Sequence, residues 1–394
     1  MTSPSDYKFL RDRVTWLMYF MLAYFAFTQG ALGPIMPFLG DELDLSYTVR
    51  GFHLSALALG MVLAGLSADR FSRLIGRWRL FWLGSLAMGI SAILFIIGSR
   101  PEVTILACLL MGVTGGQMLV MIQAILSDVH GERRAIALSE ANVTAAIGAS
   151  AAPLLVGGLE RIDLSWRGTL IVTMIAWWFL YGLFRGAALP RAQYDEDDDT
   201  ETATSSTALP RIYWAYAFVI FLSVSIEWSM LFWGADFLEN GIGMARDNAV
   251  SAMVIYFVAI PIGRAFGSGL ARRFTAQQLL LSAFAMIIIG FFPFWLVRWI
   301  PLNLLALFVT GIGVANLFPL GLSVASSVVP PRLSDAASGR VSLSAGAAIL
   351  IAPQILGSLA DQTGISAAFG VVAMLSVAAM GVMFRANQMQ LTNP

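Results

Sequence analysis

The stretch Ala152-Pro153-Leu154-Leu155-Val156-Gly157-Gly158-Leu159 returns as Ala352-Pro353-Gln354-Ile355-Leu356-Gly357-Ser358-Leu359, so Ala-Pro-x-x-x-Gly-x-Leu repeats at an offset of 200 without a gap. Ser127/Ser327 and Ala145/Ala345 keep the same offset. A second match, Ser67-Ala68-Asp69-Arg70-Phe71 beside Leu270-Ala271-Arg272-Arg273-Phe274, is offset by 203. Alanine- and leucine-rich sequence yields one such match by chance more readily than two at nearly the same spacing. The chain reads as two copies of one unit.

The composition says what medium that unit lives in. The 394 residues are 58% hydrophobic and 12% charged, against about 45–50% and about 25% in soluble domains. A soluble protein of this make-up would lack the polar surface to cover itself. Basic and acidic residues balance at 24 each, so no field draws a polyanion and nucleic acid is not an expected partner. One cysteine, Cys108, and two histidines, His53 and His130, exclude an intrachain disulfide and leave no metal-ligand set. No metal or cofactor is expected.

A bilayer core about 30 Å thick needs about 20 apolar residues per helix. Twelve such runs begin near Val14, Tyr47, Leu80, Val103, Glu140, Gly168, Ile212, Ala249, Gln278, Leu302, Ser338 and Ser366. Met1–Asp12 is polar and leads directly into the first run, which reads as a spanning helix rather than a cleavable signal. With the N-terminus inside, 17 Lys/Arg residues fall on the inner side and six on the outer, with Arg264 inside a span. Both termini are therefore expected in the cytoplasm, in the cell membrane, read as a bacterial inner membrane. Residues 190–211 hold Asp195-Glu196-Asp197-Asp198-Asp199 and a Ser/Thr-rich run, which suits a solvated cytoplasmic linker. The expected fold is an all-α polytopic membrane protein. Its twelve transmembrane helices would form two pseudo-symmetric six-helix bundles, residues 1–189 and 212–394, a parallel repeat typical of secondary transporters.

The loop after span two carries the most specific motif. Gly65-Leu66-Ser67-Ala68-Asp69-Arg70-Phe71, followed by Arg73 and Gly76-Arg77-Trp78-Arg79, resembles the signature of the major facilitator superfamily. The resemblance extends over essentially the whole chain. Gly148-x-x-x-Ala152-Pro153-x-x-x-Gly157-Gly158 in span five is similar to the Gly/Pro pattern of family exporters, with Ala152 where a glycine is usual. The symmetric Pro353 makes helix packing the better reading of it. Val103–Ser127 lacks the arginine that family drug–proton exporters carry in span four. The resemblance implies alternating access, with substrate held between helices one, four, seven and ten. It also implies a cytoplasmic latch: Gly65 allowing close helix approach, Asp69 and Arg70 forming charge pairs, and the start of helix eleven with Arg340 facing Asp69. Glu140 and Arg340 occupy equivalent positions in the repeat with opposite charge, which suits either an ion pair between bundles or separate solvation.

Ionisable residues deep in a span cost at least about 2.5–3.5 kcal/mol, so they mark function. Glu227 stands alone in the uncharged run Phe218–Phe232. A lone carboxyl there can take and release a proton as its surroundings alternate. Ile226-Glu227-Trp228-Ser229, then Phe232-Trp233, looks like span seven of fucose-permease-like members, although their carboxylates in spans one and four are absent. Arg264 in span eight suits substrate binding, gating or snorkelling to the surface; its Cα would lie about 10 Å nearer the cytoplasm than that of Glu227. Gln29, Gln123 and Asn316 lie on the helices where the family binds substrate, and Trp228 can stack a ring. Gly30, Gly33, Pro34 and Pro37 suggest an interruption in span one.

The expected function is secondary active transport of a small polar organic solute, sugar-like at best, with a proton carried by Glu227. The expected substrate contacts are Gln29, Gln123, Glu227, Trp228, Arg264 and Asn316. Proton-driven efflux of amphipathic compounds is the alternative. No span carries paired carboxylates or a Ser/His dyad, and no Gly-x-x-x-x-Gly-Lys-Ser/Thr loop exists, so neither an enzyme nor an ATP-driven pump is expected. The partners are substrate, proton and lipid, and the protein is expected to work as a monomer.

Overall fold

The computed structural model describes residues 10–187, 209–330 and 333–392. Twelve helices long and apolar enough to cross a membrane occur among them. They are α1 (Arg13–Glu42), α2 (Tyr47–Ile75), α3 (Arg77–Ile97), α4 (Pro101–His130), α5 (Ile136–Arg161) and α6 (Arg167–Phe184) in the first half. The second half contributes α7 (Arg211–Gly241), α8 (Arg246–Leu270), α9 (Ala276–Leu296), α10 (Ile300–Ser327), α11 (Gly339–Thr363) and α12 (Ile365–Met389). The acidic stretch 190–208 lies outside the described residues.

Local chemistry sets several boundaries. Asp12 caps α1 by accepting from the Thr15 amide at 2.7 Å, and Ser46 caps α2. Thr275 and Gln278 cap α9 reciprocally. Gly76 (φ +87°) turns the chain between α2 and α3 in a conformation that side chains disfavour. Span one is not interrupted: α1 runs unbroken through Pro34 and Pro37, because tight packing on α5 and α7 holds it. The break lies instead in α10, where helix stops at Val314 and restarts at Leu317.

Packing repeats with the sequence. In the first bundle α1 lies along α5 and α2 along α4; in the second, α7 lies along α11 and α8 along α10. The bundles meet through two equivalent seams, α2 on α11 and α5 on α8, with α1 against α7 between them. Glycines permit the close approaches. A Cβ at Gly33 would press on the Leu231 carbonyl at 2.5 Å, and one at Gly357 on the Tyr47 carbonyl at 2.7 Å. Large side chains such as Ile97, Ile175, Phe179 and Ile289 remain exposed on the outer surface, as lipid contact requires. The end that carries the start of α1 and the end of α12 is called here the terminal face, and the opposite end the distal face.

Gly148 lets α5 lie against the backbone of α1, since a Cβ there would collide with the Ala23 carbonyl. Gly148→Val should therefore destabilise the first bundle by about 1–3 kcal/mol. A lowered Tm of the detergent-purified protein is the expected result; an unchanged Tm would contradict this packing.

Candidate functional site

Between the bundles lies a cavity of ≈ 220 Å³ walled by α1, α2, α5, α7 and α8. Its polar side chains are Gln29 of α1, Asn142 of α5, Glu227 of α7 and Arg264 of α8; Trp228, Leu231, Phe232, Phe257 and Ile260 supply most of the apolar wall. Asn142 and Arg264 are exposed whereas Gly33 and Phe232 are buried, so solvent reaches the cavity from the terminal face.

Backbone irregularity positions Arg264. Gly263 and Gly267 bring α8 against α10: a Cβ at Gly263 would stand 2.7 Å from that of Ala315, and one at Gly267 would collide with Asn316. In α10, Pro319 has no N–H to offer the carbonyl four residues earlier, that of Ala315. Arg264 takes that place, its Nε donating to Ala315 O at 3.2 Å. Asn316 Nδ2 donates to Gly263 O at 2.7 Å and pins the pair of helices.

Glu227 has no hydrogen bond or ion pair among the described residues, and no salt bridge joins it to Arg264. The two share a wall without touching. Tyr256 of α8 lies within electrostatic reach of Glu227, and its buried hydroxyl has no hydrogen-bond partner among the described residues.

The distal face is closed by ions. Arg50, at the start of α2, donates from Nη1 to Asp236 of α7 at 2.9 Å, with Asp236 fully buried and Arg50 9% exposed. Its Nη2 lies 3.6 Å from Asp41, and its guanidinium stacks 5.1 Å from the Tyr47 ring centroid. Gly40 leaves the room, because a Cβ there would occupy the guanidinium's space. Asp41 in turn accepts from Arg246 at 2.6 Å, and Arg246 donates to Glu239 at 2.7 Å. Three carboxylates and two guanidiniums from both bundles thus form one chain.

On either side of it the seams are sealed by repeat-related contacts. Asp361 accepts from the amides of Tyr47 and Thr48 at 2.7 and 2.9 Å, where the positive end of the α2 dipole favours an anion. Arg161, two hundred residues earlier, donates to Asp247 and Asn248 at 3.1 and 2.7 Å. The partners Tyr47/Thr48 and Asp247/Asn248 are themselves offset by 200, so one contact recurs with its polarity reversed.

The residues singled out from sequence divide accordingly. Gln29, Glu227, Trp228 and Arg264 line the cavity. Gln123 does not: it is exposed on α4. Asn316 is also off the wall, engaged between α8 and α10. The proposed latch residues are apart in this state. Asp69 pairs with Arg73 on its own helix at 2.8 Å, and Arg70 is exposed. Glu140 binds Arg11 and the Tyr19 hydroxyl, and Arg340 lies over the Trp214 ring, each within its own bundle. Gly65 makes no close helix approach, because α2 stands in open space there. Sequence reasoning missed the distal ions. Arg50, Asp41, Arg246 and Asp247 pass for interfacial charges, but continuing the repeat four residues past Gly157/Gly357 reaches Arg161/Asp361.

The sequence profile of the Major Facilitator Superfamily matches residues 16–313. An uncharacterized MFS-type transporter of Yersinia pestis is 23% identical over 365 residues, covering 90% of this chain and 91% of that one. Among solved structures, a bacterial homolog of the human lysosomal transporter Spinster, inward-facing and occupied, superposes with a TM-score of 0.78 at 14% identity, over 97% of this chain and 98% of that one. A D-xylose–proton symporter gives 0.76 at 12% identity, over 94% and 96%. A mutant form of the nucleoside transporter NupG gives 0.77 at 15% identity, over 95% and 98%.

Arg50→Ala would leave Asp236 buried without its cation, a cost of about 3–5 kcal/mol to the closed distal face. A cysteine at Ser358, whose hydroxyl lies 3.5 Å from that of Thr48 across the seam, should then react faster with an impermeant maleimide. The native Cys108 is buried and should add little background. Combining Arg50→Ala with Asp236→Ala should restore part of the protection; equal labelling in all three would refute the gate.

Proposed function

The chain belongs to the Major Facilitator Superfamily, and on that premise we propose that it is a proton-coupled secondary transporter of a small polar organic solute. Its membrane-spanning character and transporter class follow from the family and from the twelve helices. The observation that carries the finer reading is the cavity, with Glu227 and Arg264 on its wall, open at one end and sealed at the other by cross-bundle ions.

The Lys/Arg bias supports a cytoplasmic terminal face and both termini inside. The described state is then open to the cytoplasm. Alternating access would require the distal chain of ions to part while the terminal ends of α2, α5, α8 and α11 close. In that closed state Asp69, Arg70 and Arg340 come to the seam, and their role as the latch is part of this proposal. Glu227 serves as the proton carrier because it has no competing cation in contact, so its charge can be lost and regained without breaking a salt bridge.

Import with a proton is the principal reading. The apolar wall formed by Trp228, Leu231, Phe257 and Ile260 also suits an amphipathic compound, and export is the second reading. The two are separated by the sign of the pH change that substrate evokes in loaded vesicles.

Glu227→Gln keeps the shape and removes the titration. In proteoliposomes it should abolish uptake driven by a pH gradient while leaving substrate exchange at equal pH within about threefold of wild type, a difference of about 0.6 kcal/mol. Gradient-driven uptake that persists in the variant would sink the role of Glu227.

A further inference from the structure

The cavity offers two opposite charges and two neutral amides, Gln29 and Asn142, as its polar side chains. Gln29 Nε2 donates to the Met61 sulfur at 3.5 Å and Asn142 Nδ2 to the Leu138 carbonyl at 2.8 Å, which leaves each amide one N–H and its carbonyl oxygen. A solute covered in hydroxyls would leave many of them unpaired against Leu231, Phe257 and Ile260. Arg264, by contrast, commits one of its N–H donors to Ala315 O and has no carboxylate partner among the described residues. A guanidinium held by its Nε and reachable by solvent presents its Nη edge as a fork for a carboxylate.

Charge balance narrows the choice further. With Glu227 ionised opposite Arg264, the empty cavity is neutral. With a proton on Glu227 it carries one positive charge, which a sealed passage through hydrocarbon disfavours. A monoanion on Arg264 restores neutrality; an uncharged solute does not. We propose that the cavity takes a small organic monoanion, its charged end on Arg264 and its apolar or aromatic body along Trp228 and Phe257, moving electroneutrally with one proton on Glu227. The anion part stands on Arg264 alone, and the proton part rests on the coupling role given to Glu227 above.

The coupling is mutual. An anion beside a carboxyl favours the protonated carboxyl, and by linkage the proton favours the anion. The titratable groups that face Glu227 are Arg264 and Tyr256, both from α8. The walls from α1, α2 and α5 present uncharged residues, and α10 and α11 place no charged residue on the cavity among the described ones. One proton enters with each anion and leaves with it.

The test sets a series of small monocarboxylates (benzoate, mandelate, lactate and gluconate) against their neutral amides, by thermal shift and equilibrium binding on the detergent-purified full chain. At least one carboxylate should bind tenfold or more tightly than its amide. Arg264→Gln should erase that preference and Arg264→Lys retain part of it; the amide comparison on wild type needs no variant to fold. If no carboxylate outbinds its amide, the proposal is overturned. Anion affinity should rise on acidification from about pH 8 to about pH 6, where simple carboxylates stay ionised, and Glu227→Gln should flatten that profile. A preference for anions with a flat profile in wild type would overturn the proton role and leave the anion site standing. Acid-enhanced binding of an uncharged solute would do the reverse. In proteoliposomes, uptake should be unchanged when valinomycin and potassium impose a potential; uptake that follows voltage would overturn electroneutrality.

Discussion

A charge in hydrocarbon has three tolerable situations: against an opposite charge, at the surface, or facing water inside a cavity. The whole molecule can be sorted by that constraint. Arg50 and Asp236 are buried and paired, and Asp41, Arg246 and Glu239 extend the pair to the distal surface. Glu227 and Arg264 are in contact with no counter-ion among the described residues, and both line the cavity. Paired charges make a seal; charges that face water make a site. A seal of ions is also reversible in a way that an apolar one is not, because water entering the seam repays much of the desolvation that closure imposed.

The seal inherits the symmetry of the repeat. Gly157 and Gly357 each bring a helix of one bundle onto the first turn of the second helix of the other, at the carbonyls of Asp247 and Tyr47. Four residues on, Arg161 and Asp361 complete each seam, one through side-chain oxygens and the other through backbone amides. Reversing the polarity at one seam keeps the distal face from collecting charge of a single sign. It also makes the two seams chemically distinct, so they need not part together.

Much of this was legible in the sequence. Span number and repeat follow from apolar length and from Ala-Pro-x-x-x-Gly-x-Leu, and Glu227 and Arg264 stood out because charges are rare in spans. What was hidden is contact between distant parts of the chain. Arg50 reads as an interfacial cation until Asp236, 186 positions later, is seen beneath it. Gln123 and Asn316 had suitable residue types on suitable helices, but the side a residue faces decides its role, and the helix number does not. The glycine at position 65 illustrates a different gap: it belongs to the most specific motif of the chain, yet in the described structure no helix approaches it.

Asn316 also shows why a polar residue that misses the site can still build it. A straight α10 would satisfy every carbonyl within itself and leave Arg264 no acceptor at that depth. Pro319 deletes one donor, which exposes the Ala315 carbonyl; the helix breaks at Ala315–Asn316, and the Asn316 amide fastens the break to Gly263. Arg264 is then held by its Nε at a fixed height. A surface-snorkelling arginine would instead have a long flexible stem and a hydrated head. The proline thus gives a cation that lies within a span, and is reached by solvent, a fixed orientation.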